Sequence, residues 1–225
     1  MKKVIAMIPA RMGSQRLTKK NLRLLDGVPL INRCIHKCIK ADCFDEIWVN
    51  SEDKYFGKIA SSEGVNFHQR PKELGDNNAT SEDFILEFLE KHSCSHIIQV
   101  HSIAPLLTFM EVRAFTENYV NSNYDVMLSC INDQIEVAFN NSPVNFSYKN
   151  KTNSQDLVPT QRITWSITGW RKDNFIKGVS EISCGTYFGK VGFHEVSQQS
   201  GHVIKTQSDL DLAEAILKIN KDYQL

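Results

Sequence analysis

Short apolar runs alternate with longer segments of helical period along the first 130 residues of the chain. The apolar runs are rich in Val, Ile and Phe, as strands are; they cover residues 4–9, 46–51, 65–69, 96–101 and 125–130. Between them, apolar residues recur every three or four positions, which predicts helices at residues 29–41, 55–63, 81–92 and 109–121. This alternation predicts a layered α/β domain with a mainly parallel sheet.

Two of the predicted helices carry start signals. Pro29 fits the first turn of the first helix, where its missing N–H costs nothing. Thr80 or Ser81, followed by Glu82 and Asp83, is a helix start with acidic residues in the first turn.

The alternation breaks down after residue 131. Residues 140–161 are rich in Asn, Ser, Lys and Pro, which predicts a loop or hairpin excursion with one strand candidate at 144–148. Regular structure resumes at residues 163–171 and 186–196 and ends in a helix at 208–220. We expect one domain over residues 1–225, with residues 140–170 as a small lobe.

Composition narrows the function classes. Lys and Arg (26) balance Asp and Glu (26), so no global positive field favours a nucleic-acid partner. No apolar run is long enough to span a membrane, and the apolar stretch at the N-terminus is too short for a signal peptide, which predicts a soluble cytoplasmic protein.

The cysteines and histidines show no metal-binding spacing. The six cysteines include no C-x-x-C pair, so reduced buried thiols are expected. Cys34 and Cys38 lack a second ligand pair, and the serines beside His92 and His96 indicate a helix end rather than a metal site between these histidines.

The most informative stretch is IPARMGSQRLTKKN, residues 8–21, which holds four cations (Arg11, Arg16, Lys19 and Lys20) and no acidic residue. It follows the first predicted strand, so it lies at the edge of the sheet where ligands usually bind. Gly13 and Ser14 allow the backbone to fold closely around an anion, and the cations can bind phosphate. The stretch is neither a P-loop nor a G-x-G-x-x-G motif. On charge alone, a solvated basic turn explains it equally well.

The segment IPARMGSQRLTKKNLRLLDGVPLI resembles the first signature of the acylneuraminate cytidylyltransferase family, which activates acidic sugars with CTP. The resemblance implies a three-layer, Rossmann-like nucleotidyltransferase fold of the α/β class, with a mainly parallel sheet and a small dimerisation excursion. It assigns the CTP triphosphate to Arg11, Ser14 and Lys20, with Arg11 and Lys20 in catalytic roles. The remaining nucleotide-binding residues that it implies here are Ala10, Gly13, Arg16 and Asn21.

Three later stretches resemble the same family in the same order. Residues 70–85 resemble the segment around cytosine and ribose, which implies nucleotide contacts for Arg70, Ala79 and Ser81. Residues 97–108 and 154–163 resemble segments that hold the acceptor sugar and lead into the dimerising lobe. They imply that Gln99, His101, Gln155 and Arg162 bind the substrate. The resemblance covers about residues 3–220.

The departures from the family pattern concern charge. Gln15 replaces the expected lysine, Leu107 replaces an arginine, and Lys205 stands where the family has the aspartate that binds the catalytic magnesium. Asp209 and Asp211 follow, as weak metal candidates; Asp209 can equally favour the helix dipole.

The resemblance implies that CMP is transferred from CTP to a small acidic sugar, with Mg²⁺ as cofactor, release of pyrophosphate and a homodimer as the assembly. Two interpretations of Lys205 stay open: Mg²⁺ is held mainly by phosphates, or Lys205 partly replaces the metal or binds an anionic group of the acceptor. Aromatic residues of the strand at 163–171, such as Trp165 and Trp170, fit the core more readily than a sugar platform. A CTP-dependent transferase that makes a CDP-linked product and a non-catalytic nucleotide-binding protein remain alternatives.

Overall fold

The computed structural model describes residues 2–76 and 78–220, so Met1, Asn77 and residues 221–225 of the predicted 1–225 domain lie outside the described residues. The strands are β1 (Val4–Pro9), β2 (Leu24–Leu25), β3 (Val28–Pro29), β4 (Glu46–Ser51), β5 (Asn66–Gln69), β6 (His96–Val100), β7 (Val126–Asp133), β8 (Ala138–Phe139), β9 (Ser142–Pro143), β10 (Thr160–Arg171) and β11 (Val191–Glu195). The α-helices are α1 (Leu30–Ala41), α2 (Lys54–Ser62), α3 (Ser81–Lys91), α4 (Phe109–Asn121), α5 (Lys172–Ile182) and α6 (Gln207–Ile219). Short 3₁₀ turns lie at Lys20–Leu22, Lys72–Gly75 and Ser154–Asp156.

Seven strands form one sheet in the order β11-β7-β10-β6-β1-β4-β5. Pairing is parallel throughout except that β10 runs antiparallel to both β6 and β7. The C-terminal ends of β1, β4, β5 and β6 therefore meet at one edge, and the first residues of β10 reach the same edge beside the end of β7. The mainly parallel sheet predicted from the sequence is confirmed.

Alternate side chains of β1 enter two different cores, which makes the fold three-layered. Ala6 and Ile8 pack with residues of α1, α2 and α4, whereas Ile5 and Met7 pack on the opposite face with residues of α3 and α5. Both faces of this central strand are buried, and that explains its uninterrupted apolar sequence. A third, smaller cluster seats α6 against Leu25, Leu30 and Leu106.

Capping side chains fix the starts of three helices. Thr80, Thr108 and Thr206 each accept a hydrogen bond from the third residue of the following helix, whose acidic side chain accepts one from the capping residue in return. The predicted start at residues 80–81 is confirmed. Pro29 lies one residue earlier than predicted, as the cap of α1, because its peptide also pairs with Leu24 in a short hairpin.

The structure corrects the sequence prediction after residue 140. The strand candidate at 144–148 is wrong, because the Asn145 side chain bonds the Val137 amide and the Ile135 and Val158 carbonyls and so ties the segment into a turn. Helix α5 was not predicted, and the strand expected over 186–196 is confined to β11. Thr160–Arg171 belongs to the main sheet, so the segment that leaves the sheet ends before Thr160.

Within the described part of the chain, no helix is both long and apolar enough to cross a bilayer.

Candidate active site

A cavity of about 250 Å³ opens beyond the C-terminal end of β1. The loop after β1, the start of the β5–α3 connection and the residues after β6 form its walls, and the lining residues are Pro9, Ala10, Arg11, Ser14, Gln15, Arg16, Leu17, Lys20, Asn21, Arg70, Phe84, His101 and Ile103. Eight of the residues implied by the resemblance therefore share one cavity: Ala10, Arg11, Ser14, Arg16, Lys20, Asn21, Arg70 and His101. We call it the first cavity.

Buried polar side chains hold the basic loop in place. Asn21 donates to the Arg11 carbonyl at 3.0 Å and accepts from the Ser102 hydroxyl at 2.7 Å, so the amide joins both ends of the loop to the turn after β6. The backbone amide of Met12 donates to a Glu52 carboxylate oxygen at 2.9 Å. These bonds fix the loop before any ligand arrives, which lowers the ordering cost of binding.

The cations of this loop repel one another. The pKa of Lys20 is lowered chiefly by burial and then by the positive charges of Arg16 and Arg11. Its ammonium group also donates to the Ile204 carbonyl at 3.0 Å, which places it beside the segment that precedes α6. An anion bound among these cations relieves the repulsion, so the first cavity favours a polyanionic ligand.

Arg70 carries buried donors that the protein leaves unpaired. Its side chain is 3% exposed, bonds Glu52 at 2.9 Å and the Ala10 carbonyl at 3.2 Å, and lies over the Phe84 ring. Nε and Nη1 are buried and have no hydrogen-bond partner among the described residues. Unpaired buried donors on a cation are costly, and a ligand with acceptor atoms removes that cost.

Gln99 and His101 form a polar pair at the end of β6. Their side-chain nitrogens Nε2 lie 2.8 Å apart, and the Gln99 Oε1 atom is buried without a partner in the described residues. Burial and the nearby Lys20 charge lower the pKa of His101 to about 4, so the imidazole is neutral at pH 7. A neutral ring adds no further positive charge to the first cavity.

A second cavity, of about 510 Å³, adjoins the first through Ile103, which lines both. Its walls come from the N-terminal half of β10 and the segment before α6, and they consist of Ile103, Arg162, Ile163, Thr164, Trp165, Gln198, Gly201, His202, Val203, Lys205 and Asp209. Arg162 is half-exposed and pairs with Asp133 at 2.8 Å. Lys205 therefore lies on the wall of the second cavity, not the first.

Six residues implied by the resemblance line neither cavity, and one of them is Gln99 at the end of β6. Gly13 lies in the basic loop with open space around its Cα; Ala79 and Ser81 lie at the start of α3; Gln155 lies in the excursion; Asp211 bonds Gln207 on the exposed face of α6.

The described residues do not provide a magnesium site. Over residues 2–76 and 78–220, no three His, Cys, Asp or Glu side chains are grouped to hold a metal ion. Asp209 Oδ2 accepts bonds from the Lys205 amide, the Thr206 amide and the Thr206 hydroxyl, so this carboxylate caps α6. The donor set does not fit a protein-bound Mg²⁺.

Sequence reasoning missed Glu52. This residue follows the last residue of β4 and joins the basic loop to Arg70. The Glu52 side chain also lies so close to Gly75 that a Cβ at residue 75 would not fit. An acidic residue at the C-terminal end of a parallel strand was the signal that could have identified it.

Known proteins resemble this chain in sequence. A family model described as Cytidylyltransferase matches residues 5–223. N-acylneuraminate cytidylyltransferase A of Danio rerio is 29% identical over 129 residues, which are 57% of this chain and 30% of that relative. N-acylneuraminate cytidylyltransferase of Escherichia coli O18:K1:H7 (strain RS218 / NMEC) is 36% identical over 104 residues, 46% of this chain and 24% of the relative. The matched parts are thus less than a third of these relatives' length.

Solved structures of low sequence identity share the fold. A CMP:2-keto-3-deoxy-manno-octonic acid synthetase complexed with CTP superposes with a TM-score of 0.72 at 16% identity, covering 96% of this chain and 99% of that one. The 4-diphosphocytidyl-2C-methyl-D-erythritol synthase of Anaerococcus prevotii DSM 20548 gives 0.70 at 15% identity, covering 96% and 99%. The three-layer nucleotidyltransferase fold is therefore confirmed.

Proposed function

The chain belongs to the cytidylyltransferase family, and from that premise we propose that it transfers the CMP group of CTP to an acidic sugar and releases pyrophosphate. The observation that carries the proposal is Arg70, a buried guanidinium with two unpaired donors on the wall of a cavity that also holds Arg11, Arg16 and Lys20. A solvated basic turn does not explain this arrangement, because the donor atoms of such a turn would bond to water and would not be buried without partners.

The first cavity is the proposed nucleotide site. Arg11, Arg16 and Lys20 bind the triphosphate, the loop backbone from Ala10 through Gly13 and Ser14 approaches it, and Asn21 holds that loop in shape. Arg70 donates to an acceptor atom of the nucleotide. Ala79 and Ser81 lie at the start of α3, the helix whose Phe84 lines the first cavity, and we propose them as further nucleotide contacts.

The reaction needs charge neutralisation rather than a covalent nucleophile. The hydroxyl oxygen of the acceptor forms a bond to the α-phosphorus of CTP, the bond between that phosphorus and the bridging oxygen breaks, and the hydroxyl proton is released. Negative charge grows on the departing pyrophosphate, and Arg11 and Lys20, preoriented in the first cavity, stabilise it by a few kcal/mol each.

The second cavity is the proposed acceptor site, because it shares the Ile103 wall with the nucleotide site. Arg162 and Lys205 supply the positive charge that a sugar carboxylate needs. Lys205 thus acts on the acceptor. We also propose Gln99, His101 and Gln155 as acceptor contacts; His101 lines the first cavity and bonds Gln99.

Magnesium enters this proposal as a companion of CTP that the phosphate oxygens would hold, because Asp209 caps α6 and the described residues contain no group of three metal-ligating side chains. When bound, it adds positive charge to the triphosphate. A reaction that consumes CTP belongs to the compartment that holds CTP, and on that ground we propose the cytoplasm.

We also propose a homodimer formed through the excursion. Five large apolar side chains of the excursion and of the residues directly before it are more than half exposed: Ile135, Phe139, Val144, Tyr148 and Val158. A cluster of this kind marks an interface. Sedimentation of Phe139→Lys should show monomers where the unaltered chain shows dimers, and Met110→Lys, at an exposed apolar residue on α4, is the control. Equal sedimentation of all three proteins would overturn the dimer.

Pyrophosphate release tests the function as a whole. The purified chain, CTP and Mg²⁺ are incubated with N-acetylneuraminic acid, 2-keto-3-deoxy-manno-octonic acid and other 2-keto sugar acids, and separately with phosphorylated sugars. Mass spectrometry then identifies the product. A CMP-linked product supports the proposal. A CDP-linked product from a phosphorylated acceptor, or tight CTP binding without pyrophosphate from any acceptor, would replace it by one of the two alternatives.

A further inference from the structure

Trp165 has a backbone conformation that its side chain disfavours. Its φ is 58°, in the left-handed region, where a bulky aromatic residue is an outlier. The other described non-glycine residues with positive φ lie in turns or beside helix ends, whereas Trp165 lies inside β10. Strain of this kind persists only where the surroundings enforce it, and it concentrates at functional sites.

A bulge in β10 enforces this conformation. Ile163 pairs with Cys130 and Thr168 pairs with Leu128, so residues 164–167 all oppose Ser129. The Ser129 hydroxyl lies 3.2 Å from the backbone amides of both Ser166 and Ile167, and 2.8 Å from the Thr164 hydroxyl. A buried serine thus satisfies the donors that the bulge removes from the ladder. The bulge is a built feature that re-aims a side chain.

The bulge directs Trp165 to the wall of the second cavity. The indole is half-buried, lines that cavity and meets Tyr187 edge-on, with 6.1 Å between ring centroids. Trp170, five residues along the same strand, shows the contrast, because it is 2% exposed and donates its N–H to the Thr186 carbonyl. Trp170 is core, as the sequence predicted for both, whereas Trp165 packs only partly against the same core and also lines the second cavity.

We propose that Trp165 determines acceptor specificity: its indole packs against a C–H face of the sugar ring while Lys205 and Arg162 hold the carboxylate. This inference rests on the proposed function. The negative face of an aromatic ring attracts the weakly positive C–H groups of a sugar. A flat wall at this place favours acceptors whose ring has one face free of axial polar groups, and it excludes bulky substituents on that face.

The test compares Trp165→Gly, Trp165→Phe and Ser183→Gly in the pyrophosphate assay. Glycine adopts positive φ without strain, so Trp165→Gly removes the indole without forcing the backbone to change. Ser183 also has φ 58° but caps α5 away from both cavities, so Ser183→Gly controls for relief of strain. We expect Trp165→Gly to raise the KM for the acceptor at least tenfold and the KM for CTP less than twofold. Trp165→Phe keeps a ring and should raise the acceptor KM less than threefold, and Ser183→Gly should change neither.

Intrinsic fluorescence gives a second readout. N-acetylneuraminic acid and 2-keto-3-deoxy-manno-octonic acid, added to the CTP-bound protein, should quench the emission of the unaltered chain and leave that of Trp165→Phe unchanged, because neither Trp48 nor Trp170 lines the second cavity. An acceptor KM unchanged in Trp165→Gly, or equal quenching in both proteins, would overturn the inference while leaving the function intact. Absence of pyrophosphate from the unaltered chain with every acceptor would overturn the function, and the inference with it.

Discussion

Replacing Arg70 by lysine tests the nucleotide site at its most constrained residue. Lysine keeps a positive charge beside Glu52 but loses the planar group that stacks on Phe84 and the two donors that the protein leaves unpaired. A hydrogen bond to a charged group is worth about 1.5–3 kcal/mol. Loss of one such bond to CTP therefore weakens binding by roughly 12- to 140-fold, since each 1.4 kcal/mol is a factor of ten.

Isothermal calorimetry with CTP measures this change directly. The control is Arg113→Lys, because Arg113 is exposed on α4 and its Nε bonds the Ala41 carbonyl, far from both cavities in the fold. We expect the control to bind CTP like the unaltered chain. If folded Arg70→Lys binds CTP with an unchanged Kd, the unpaired donors of Arg70 do not meet the nucleotide and the reasoning fails.

Three further predictions follow from other contacts. Glu52→Gln removes the charge of a buried pair with Arg70, so urea unfolding should show a loss of about 3 kcal/mol or more, against less than about 0.5 for Glu136→Gln in an exposed pair; equal losses would contradict this. Burial lowers the pKa of His96 to about 4, so between pH 6.5 and 4 protons bind the unfolded chain preferentially. His101 has the same lowered pKa, so the free energy of unfolding should fall by about 3 kcal/mol for each of the two histidines over that window, and His96→Gln should remove only its own share of about 3 kcal/mol; a pH profile unchanged by His96→Gln would refute this. Lys205→Asp should raise the acceptor KM about tenfold and leave the CTP Kd unaltered, and the reverse pattern would place Lys205 with the nucleotide.

The central strand was predictable because it is buried on both faces. The apolar run at 4–9 matches β1 residue for residue, since a strand covered on both sides has no polar alternation to obscure its ends, and the run at 46–51 matches β4. Helix α5 was not predicted from the sequence. Its buried residues are Phe175 and Gly178, and a glycine at a buried position weakens the apolar pattern that indicates a helix. Asn145 shows the limit of local reasoning, because its side chain ties together residues 10 and 13 positions away.

The basic loop was identifiable from charge and resemblance, but its partners were not. Glu52 and Phe84 reach Arg70 from separate elements, and only the three-dimensional arrangement brings them together. The sequence left the role of Lys205 open between the metal and the acceptor, and its place on the wall of the adjoining cavity could be seen only in the structure. The left-handed φ of Trp165 could not be predicted from the sequence, because tryptophan is an ordinary strand residue.

Calorimetric titration of CTP into Arg11→Gln/Lys20→Gln tests the central claim, that the loop after β1 binds the triphosphate, most directly. The matched control, Arg113→Gln/Lys218→Gln, removes the same two charges from exposed helix positions. We predict that the loop variant loses CTP affinity by at least a hundredfold, as expected when two charge-assisted contacts are lost, while the control stays within threefold of the unaltered chain. An equal CTP Kd for all three proteins would contradict the account.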